Sequence, residues 1–191
     1  PKDVQQAETD FTPPADGLEL PGYRPKKQGD PELVQRAADL INEAERPVIL
    51  AGHGVLMSGA MDALGKFAEK TGTPIALTLL GKGCFPESHP LALGMMGMHG
   101  EAFVNHAIQE ADLLLAFGMR FDDRVTGTLE TYAPHARKVH VDLDAAELNK
   151  IVPVEVPIQG DLLHVLRQLL PLVEPSEHAA WLERIEGWRR E

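Results

Sequence analysis

The stretch that decides the fold is ADLLLAFGMRFDDRVTG, residues 111–127. Leu113 to Phe117 is an unbroken apolar run without alternation, the pattern of a central parallel strand covered on both faces. It stops at Gly118, and Arg120, Asp122, Asp123 and Arg124 follow at once. A buried strand whose C-terminal end opens into a charged loop is where ligands of open α/β sheets bind. A solvated turn after a core strand would read the same way, so the flanking sequence has to decide.

Working upstream, Asp30-Pro31 supplies an N-cap and a proline at the first helical position. Leu33, Val34, Ala37, Leu40, Ile41 and Ala44 then form one apolar face, which predicts a helix to about Glu45. Pro47 to Ala51 reads as a short buried strand ending in Gly52-His53-Gly54. Ser58 is placed to cap a helix running through Lys70, with Gly72 as its stop. Pro74 to Leu79, with Thr78 and Leu79 at its end, is a second strand that runs into Gly81-Lys82-Gly83. Phe85 to Met98, rich in Pro, Gly and Met, reads as irregular chain leading to His99-Gly100 and a helix with Ala102, Phe103, Val104, Ala107 and Ile108 on one face.

Downstream, Lys138 to Leu143 alternates and carries Asp142 near its end, with Asp144 placed to cap a short helical turn. Val154 to Ile158 is a last strand, set at an edge by Pro157. Gly160-Asp161 precedes a helix to about Leu170. Strands alternating with helices at this spacing predict an α/β, doubly wound fold: a mostly parallel sheet of about six strands with helices on both faces.

Residues 1–29 hold scattered Pro and Gly and few periodic apolar positions, as in an extended linker from a preceding domain. Residues 30–173 form the globular unit. Residues 174–191 carry Trp181, Leu182, Ile185 and Trp188 at helical spacing, a stripe with no remaining strand to cover, expected to fray or to dock outside this domain on the way to a further one.

The 191 residues carry 29 acidic against 18 basic side chains, a net charge of -11, with no basic cluster to offset it, so nucleic acid is an unsuitable partner. One cysteine, Cys84, cannot form an internal disulfide, and no apolar leader is present at the N-terminus, which together predict a cytoplasmic chain. Cys84 has no activating base near it in sequence and reads as a structural thiol. No metal-ligand spacing and no membrane-length apolar run appear.

Five strand ends thus converge on groups suited to a nucleotide: Gly52 and Gly54, Gly81 and Gly83, Gly118 with Arg120 and Arg124, Asp142, and Gly160 with Asp161. Glycines admit a pyrophosphate close to backbone amides, guanidinium forks match phosphate oxygens, and a strand-end acid suits ribose or adenine donors. Each has an ordinary alternative as a turn glycine, a surface ion pair or a cap neighbour. Gly52-His53-Gly54-Val55-Leu56-Met57 matches two glycines of the G-x-G-x-x-G fingerprint and has Met57 for the third. His53 and His99 stand in glycine-rich loops as candidate bases, but neither has a sequence-adjacent acid to orient it.

Gly94-Met95-Met96-Gly97-Met98-His99-Gly100 and the stretch Ala111 to Gly127 together resemble the middle domain of the acetolactate (acetohydroxyacid) synthase catalytic subunit. The resemblance covers roughly residues 30–173, and Pro1-Lys2-Asp3-Val4-Gln5 is similar to the last strand end of that enzyme's preceding domain. It implies a fragment of a three-domain thiamine diphosphate and Mg2+ enzyme that condenses pyruvate with a second 2-oxo acid, and a middle domain that binds FAD. It also implies homo-oligomers and a regulatory subunit as partners. Carried over by motif, the FAD contacts are Gly52, His53 and Gly54; Thr78 and Leu79; Gly97, Met98, His99 and Gly100; Gly118, Met119, Arg120, Asp122, Arg124 and Val125; Asp142 and Leu143; and Gly160 with Asp161.

Two positions depart from the family pattern: Asp142 stands where Glu is common, and His53 where small residues occur. The Gly-Asp-Gly diphosphate-metal motif of the family's third domain is absent, so no catalytic residue is assigned and the chain alone is expected to be inactive. The same fold in glyoxylate carboligase or a 2-oxo acid oxidase or decarboxylase is the related alternative, and a scaffold module with an empty pocket the unrelated one.

Overall fold

A computed structural model describes residues 2–8, 10, 12 and 25–190. Pro1, Pro13, Pro14, Gly17, Pro21 and Gly22 of the expected linker lie outside the described residues. Lys2–Gln6 is a single-turn helix, α1, with every residue exposed, where extended chain was expected. Helix α2, Pro31–Glu43, starts as the sequence predicts, with the Asp30 carboxylate accepting from the amides of Glu32 and Leu33. The packed unit begins slightly before it: Lys27 O accepts from the Asp161 amide, and Gly29 exchanges hydrogen bonds with the Gln168 side chain.

After α2 come strand β1 (Pro47–Ala51), the short helix α3 (His53–Met57), helix α4 (Met61–Thr71), strands β2 (Ile75–Leu77) and β3 (Ala92–Met95), and helix α5 (Ala102–Glu110). Strand β4 (Leu113–Phe117), the one-turn α6 (Asp123–Thr126), strands β5 (Arg137–Asp142) and β6 (Val156–Gln159), and helices α7 (Leu162–Leu169) and α8 (Ala179–Arg189) complete the chain. All strand pairs are parallel, in the order β3-β2-β1-β4-β5-β6. This is the doubly wound order in which the chain reverses direction across the sheet between β1 and β4, leaving a crevice at the strands' carboxyl ends.

Alternation along the buried strands separates two cores. Ile49, Ala51, Leu113, Leu115, Phe117, Val139 and Val141 pack with α2, α4 and α7 on one face. Val48, Leu50, Leu114 and Ala116 pack with α5 and α8 on the other. Because both faces are covered, the central strands have no polar side and read as continuous apolar runs.

Four sequence expectations are corrected. Ala92–Met95 is a strand inside the segment read as irregular; at the sheet's edge it needs only four residues, two of them buried, and Gly94 at φ 107° breaks any periodic signal. Ser58 does not cap α4, whose N-cap is Ala60; its hydroxyl donates to Gly54 O at 2.7 Å and closes α3 instead. Asp144 caps a turn, accepting from the Ala146 amide, and no helix follows.

The tail is the largest difference. Helix α8 folds back on the second face beside α5, burying Trp181 to 3% and Ile185 to 2% exposure, and the Trp181 indole donates to Pro47 O at 3.1 Å. The stripe had a sheet face to cover because α5 alone does not span it. Gly72 stops α4 in the left-handed conformation, and Pro157 lies in the edge strand β6, both as expected.

Candidate functional site

A cleft of about 470 Å³ opens at the carboxyl ends of the strands, over the β1/β4 switch point. Its lining brings together His53, Thr78, Leu79, Met98, His99, Gly118, Met119, Arg120, Asp122, Arg124, Val125 and Asp142 from separate loops. Leu80, Met95 and Met96 also line it and had no place among the expected contacts. Apolar residues carry no chemical tag in a sequence; the signals for the two methionines are their place in the motif at residues 94–100 and at the end of β3.

The remaining expected residues are not among that lining and make local contacts of their own. Gly52 and Gly54 lie behind the cleft where two loops cross: Gly52 N–H donates to Phe117 O at 3.0 Å and Gly54 N–H to Gly118 O at 2.9 Å. Gly118, at φ 59°, donates to Val141 O at 2.9 Å. These amides are committed within the protein, and the glycines permit the close approach of the two loops. The Gly97 amide is taken by Asn105 Oδ1, and a Cβ on Gly100 would sit 2.3 Å from Met95 O. Leu143 is exposed just past β5, while Gly160 donates to Asp142 O and the Asp161 carboxylate accepts from the His164 amide to cap α7.

The charged groups behave differently. Arg120 is exposed, and its nearest carboxylate is Asp122 at 3.6 Å, too long for a tight pair. Asp122 itself caps α6, accepting from the Arg124 amide at 3.1 Å. Among the described residues the Arg124 guanidinium meets only Met98 Sδ, at 3.7 Å. Two guanidinium groups thus stand at the cleft with no tight ion pair among the described residues, in a chain of net charge -11. On the β5 side, Asp142 accepts from the Asp144 amide, and burial raises its carboxyl above the ordinary value. His53 Nδ1 lies 3.1 Å from Leu80 O, which makes it a spacer for that loop.

Of the apolar residues that line the cleft, Leu79, Leu80 and Met98 are largely exposed, whereas Met96 is buried. Two guanidinium groups, one carboxylate and exposed apolar side chains in one cleft suit a ligand with anionic, hydroxyl and flat apolar parts. Elsewhere, burial pushes the Cys84 thiol up to about 11, which leaves it unreactive at neutral pH. Among the described residues no group of three or more His, Cys, Asp or Glu could hold a metal ion, and no helix is long and apolar enough to cross a membrane.

Sheet order and helix placement define a doubly wound α/β domain with a cleft at its switch point. The chain belongs to the family of thiamine pyrophosphate enzyme central domains, whose sequence model matches residues 34–169. It is 51% identical over 190 residues to a probable acetolactate synthase large subunit of Methanocaldococcus jannaschii, covering 97% of this chain and 32% of that protein. The acetolactate synthase large subunit of Corynebacterium glutamicum is 48% identical over 188 residues, covering 98% of this chain and 30% of that protein. An acetolactate synthase of Mycobacterium bovis is 42% identical over 189 residues, with 98% and 30% covered. The chain therefore spans about a third of the length of the curated relatives it matches.

Proposed function

We propose that the chain is the FAD-binding central domain of an acetolactate synthase catalytic subunit. The whole enzyme decarboxylates pyruvate and condenses the hydroxyethyl unit with a second 2-oxo acid, using thiamine diphosphate and Mg2+ held by other domains. The observation that carries this reading is the cleft: Arg120 and Arg124, without tight partners among the described residues, line one cavity together with Asp142. Its volume of about 470 Å³ falls within the roughly 300–1,000 Å³ of cofactor pockets. The names of the relatives support the enzyme assignment.

The residues present fit FAD. Arg120 and Arg124 would hold its diphosphate, Asp142 would accept from ribose or adenine donors, and Leu79, Leu80 and Met98 would flank the ring. FAD in this reading supplies shape, since a decarboxylation followed by a carbon–carbon condensation has no net electron transfer. This chain contributes binding and orientation, and it also exposes the apolar shelf against which the remainder of the enzyme closes. Partners are the other domains, further copies of the subunit and a regulatory subunit, in the cytoplasm.

Two measurements test the reading. FAD titrated into the chain should quench flavin fluorescence saturably at one equivalent; failure to saturate contradicts the binding role. The chain alone should form no acetolactate from pyruvate with thiamine diphosphate, Mg2+ and FAD supplied, and turnover above a no-protein control contradicts the division of labour.

A further inference from the structure

Below the cleft, in the second-face core, His140 of β5 is 1% exposed and pairs in register with Ala116 of β4. Its Nε2 lies 2.8 Å from Met119 O. A carbonyl can only accept, so Nε2 carries the proton and Nδ1 is left as a buried acceptor without a partner among the described residues. The Phe121 ring stands edge-on at 5.2 Å, and the Asp142 carboxylate is 3.9 Å from Nε2, beyond hydrogen-bond reach. A leucine or phenylalanine would fill this site without stranding a nitrogen, so packing alone does not account for the imidazole.

What the imidazole holds is the turn that enters the cleft. Strand β5 grips Gly118-Met119 twice, through Val141 O on the Gly118 amide at 2.9 Å and through the His140 ring on the Met119 carbonyl. Met119 lines the cleft and Arg120 leaves directly from that fixed peptide. We propose that His140 is the positioning residue of the site: it sets the direction of the Met119–Arg120 peptide and thereby aims the Arg120 guanidinium at the ligand's phosphate. His140 touches no ligand; it acts through Arg120. The part concerning phosphate rests on the reading of the cleft given above, whereas the tether itself does not.

The test compares His140→Phe, which keeps a ring without a donor, with His140→Gln, whose amide nitrogen reaches as far as Nε2. Two quantities are read on the 191-residue chain: amide hydrogen exchange at Gly118 relative to Ile49 in β1, and the ADP dissociation constant by calorimetry. Expected for His140→Phe are exchange at Gly118 faster by about tenfold with Ile49 unchanged, and ADP binding weaker by about tenfold. His140→Gln should stay within about threefold of the parent on both. Equal acceleration at Gly118 and Ile49, or no change at either, overturns the proposal by reducing His140 to packing. If the parent chain binds no ADP, the nucleotide reading fails and the phosphate part falls with it, while the exchange comparison still decides the tether. Should His140→Phe not fold, the parent's imidazole ¹⁵N signals decide: a neutral Nε2–H ring at pH 7 is expected, and an Nδ1–H or doubly protonated ring overturns the assignment.

Discussion

The Gly54 amide donates to Gly118 O at 2.9 Å, and a Cβ placed on Gly54 would lie 2.6 Å from the Gly118 Cα. The loops after β1 and β4 therefore cross in backbone contact, at the floor of the switch-point region.

Gly54→Ala should lower stability by about 1–3 kcal/mol, since the added methyl meets main chain that cannot rotate aside. Gly65, inside α4, is the control: a Cβ there meets nothing within 4 Å. Gly65→Ala should raise stability by roughly 0.5–1 kcal/mol through helix propensity. Denaturant midpoints of the two variants check the contrast, and a neutral Gly54→Ala would show that the crossing yields.

Trp181→Ala should cost about 3–5 kcal/mol, because a buried aromatic and its hydrogen bond to Pro47 O are lost together. Thermal unfolding measures it. A change under about 1 kcal/mol would mean that α8 contributes little to this core and that the outward-docking expectation describes the tail better.

Glu155 accepts from Arg137 Nε at 2.8 Å and from Arg36 at 2.8 Å, at the far end of the sheet from the cleft. The Arg137 guanidinium leads in holding its carboxyl down at about 2, against an ordinary 4.5. A depressed folded-state value adds stability above the unfolded pKa, and this is lost as pH falls from about 4.5 through about 2. Solvent screening keeps the contribution small. Glu155→Gln should flatten the acid limb of a stability-versus-pH curve in that window; an unchanged slope would assign the acid sensitivity to other carboxylates.

Much of this organisation is legible in the sequence. Leu113 to Phe117 announces a doubly covered strand because burial on both faces removes alternation, and Asp30, Gly72 and Asp161 announce helix ends because each satisfies a specific backbone group. Arg120, Arg124 and Asp142 could be placed together because strand ends of a parallel sheet share one edge. The four-residue β3 was not legible, since an edge strand needs little apolar content, nor was the partner of α8, which depends on how much of a face α5 leaves uncovered. The glycines illustrate a deeper limit. Sequence shows that close backbone approach is required at Gly52 and Gly54, but not that the Gly118 loop is a group that makes it.

The central claim is that this cleft binds a nucleotide diphosphate through Arg120 and Arg124 and leaves the flavin ring on an open shelf. Calorimetric titration of the chain with FAD and ADP, repeated with Arg120→Ala, tests it most directly. The predicted result is one-to-one binding of both, with FAD within about tenfold of ADP because Leu79, Leu80 and Met98 remain largely exposed. Arg120→Ala should weaken both by roughly 10- to 150-fold, the worth of a charge-assisted phosphate contact of about 1.5–3 kcal/mol. An unchanged dissociation constant in Arg120→Ala, or FAD held far more tightly than ADP, would contradict it.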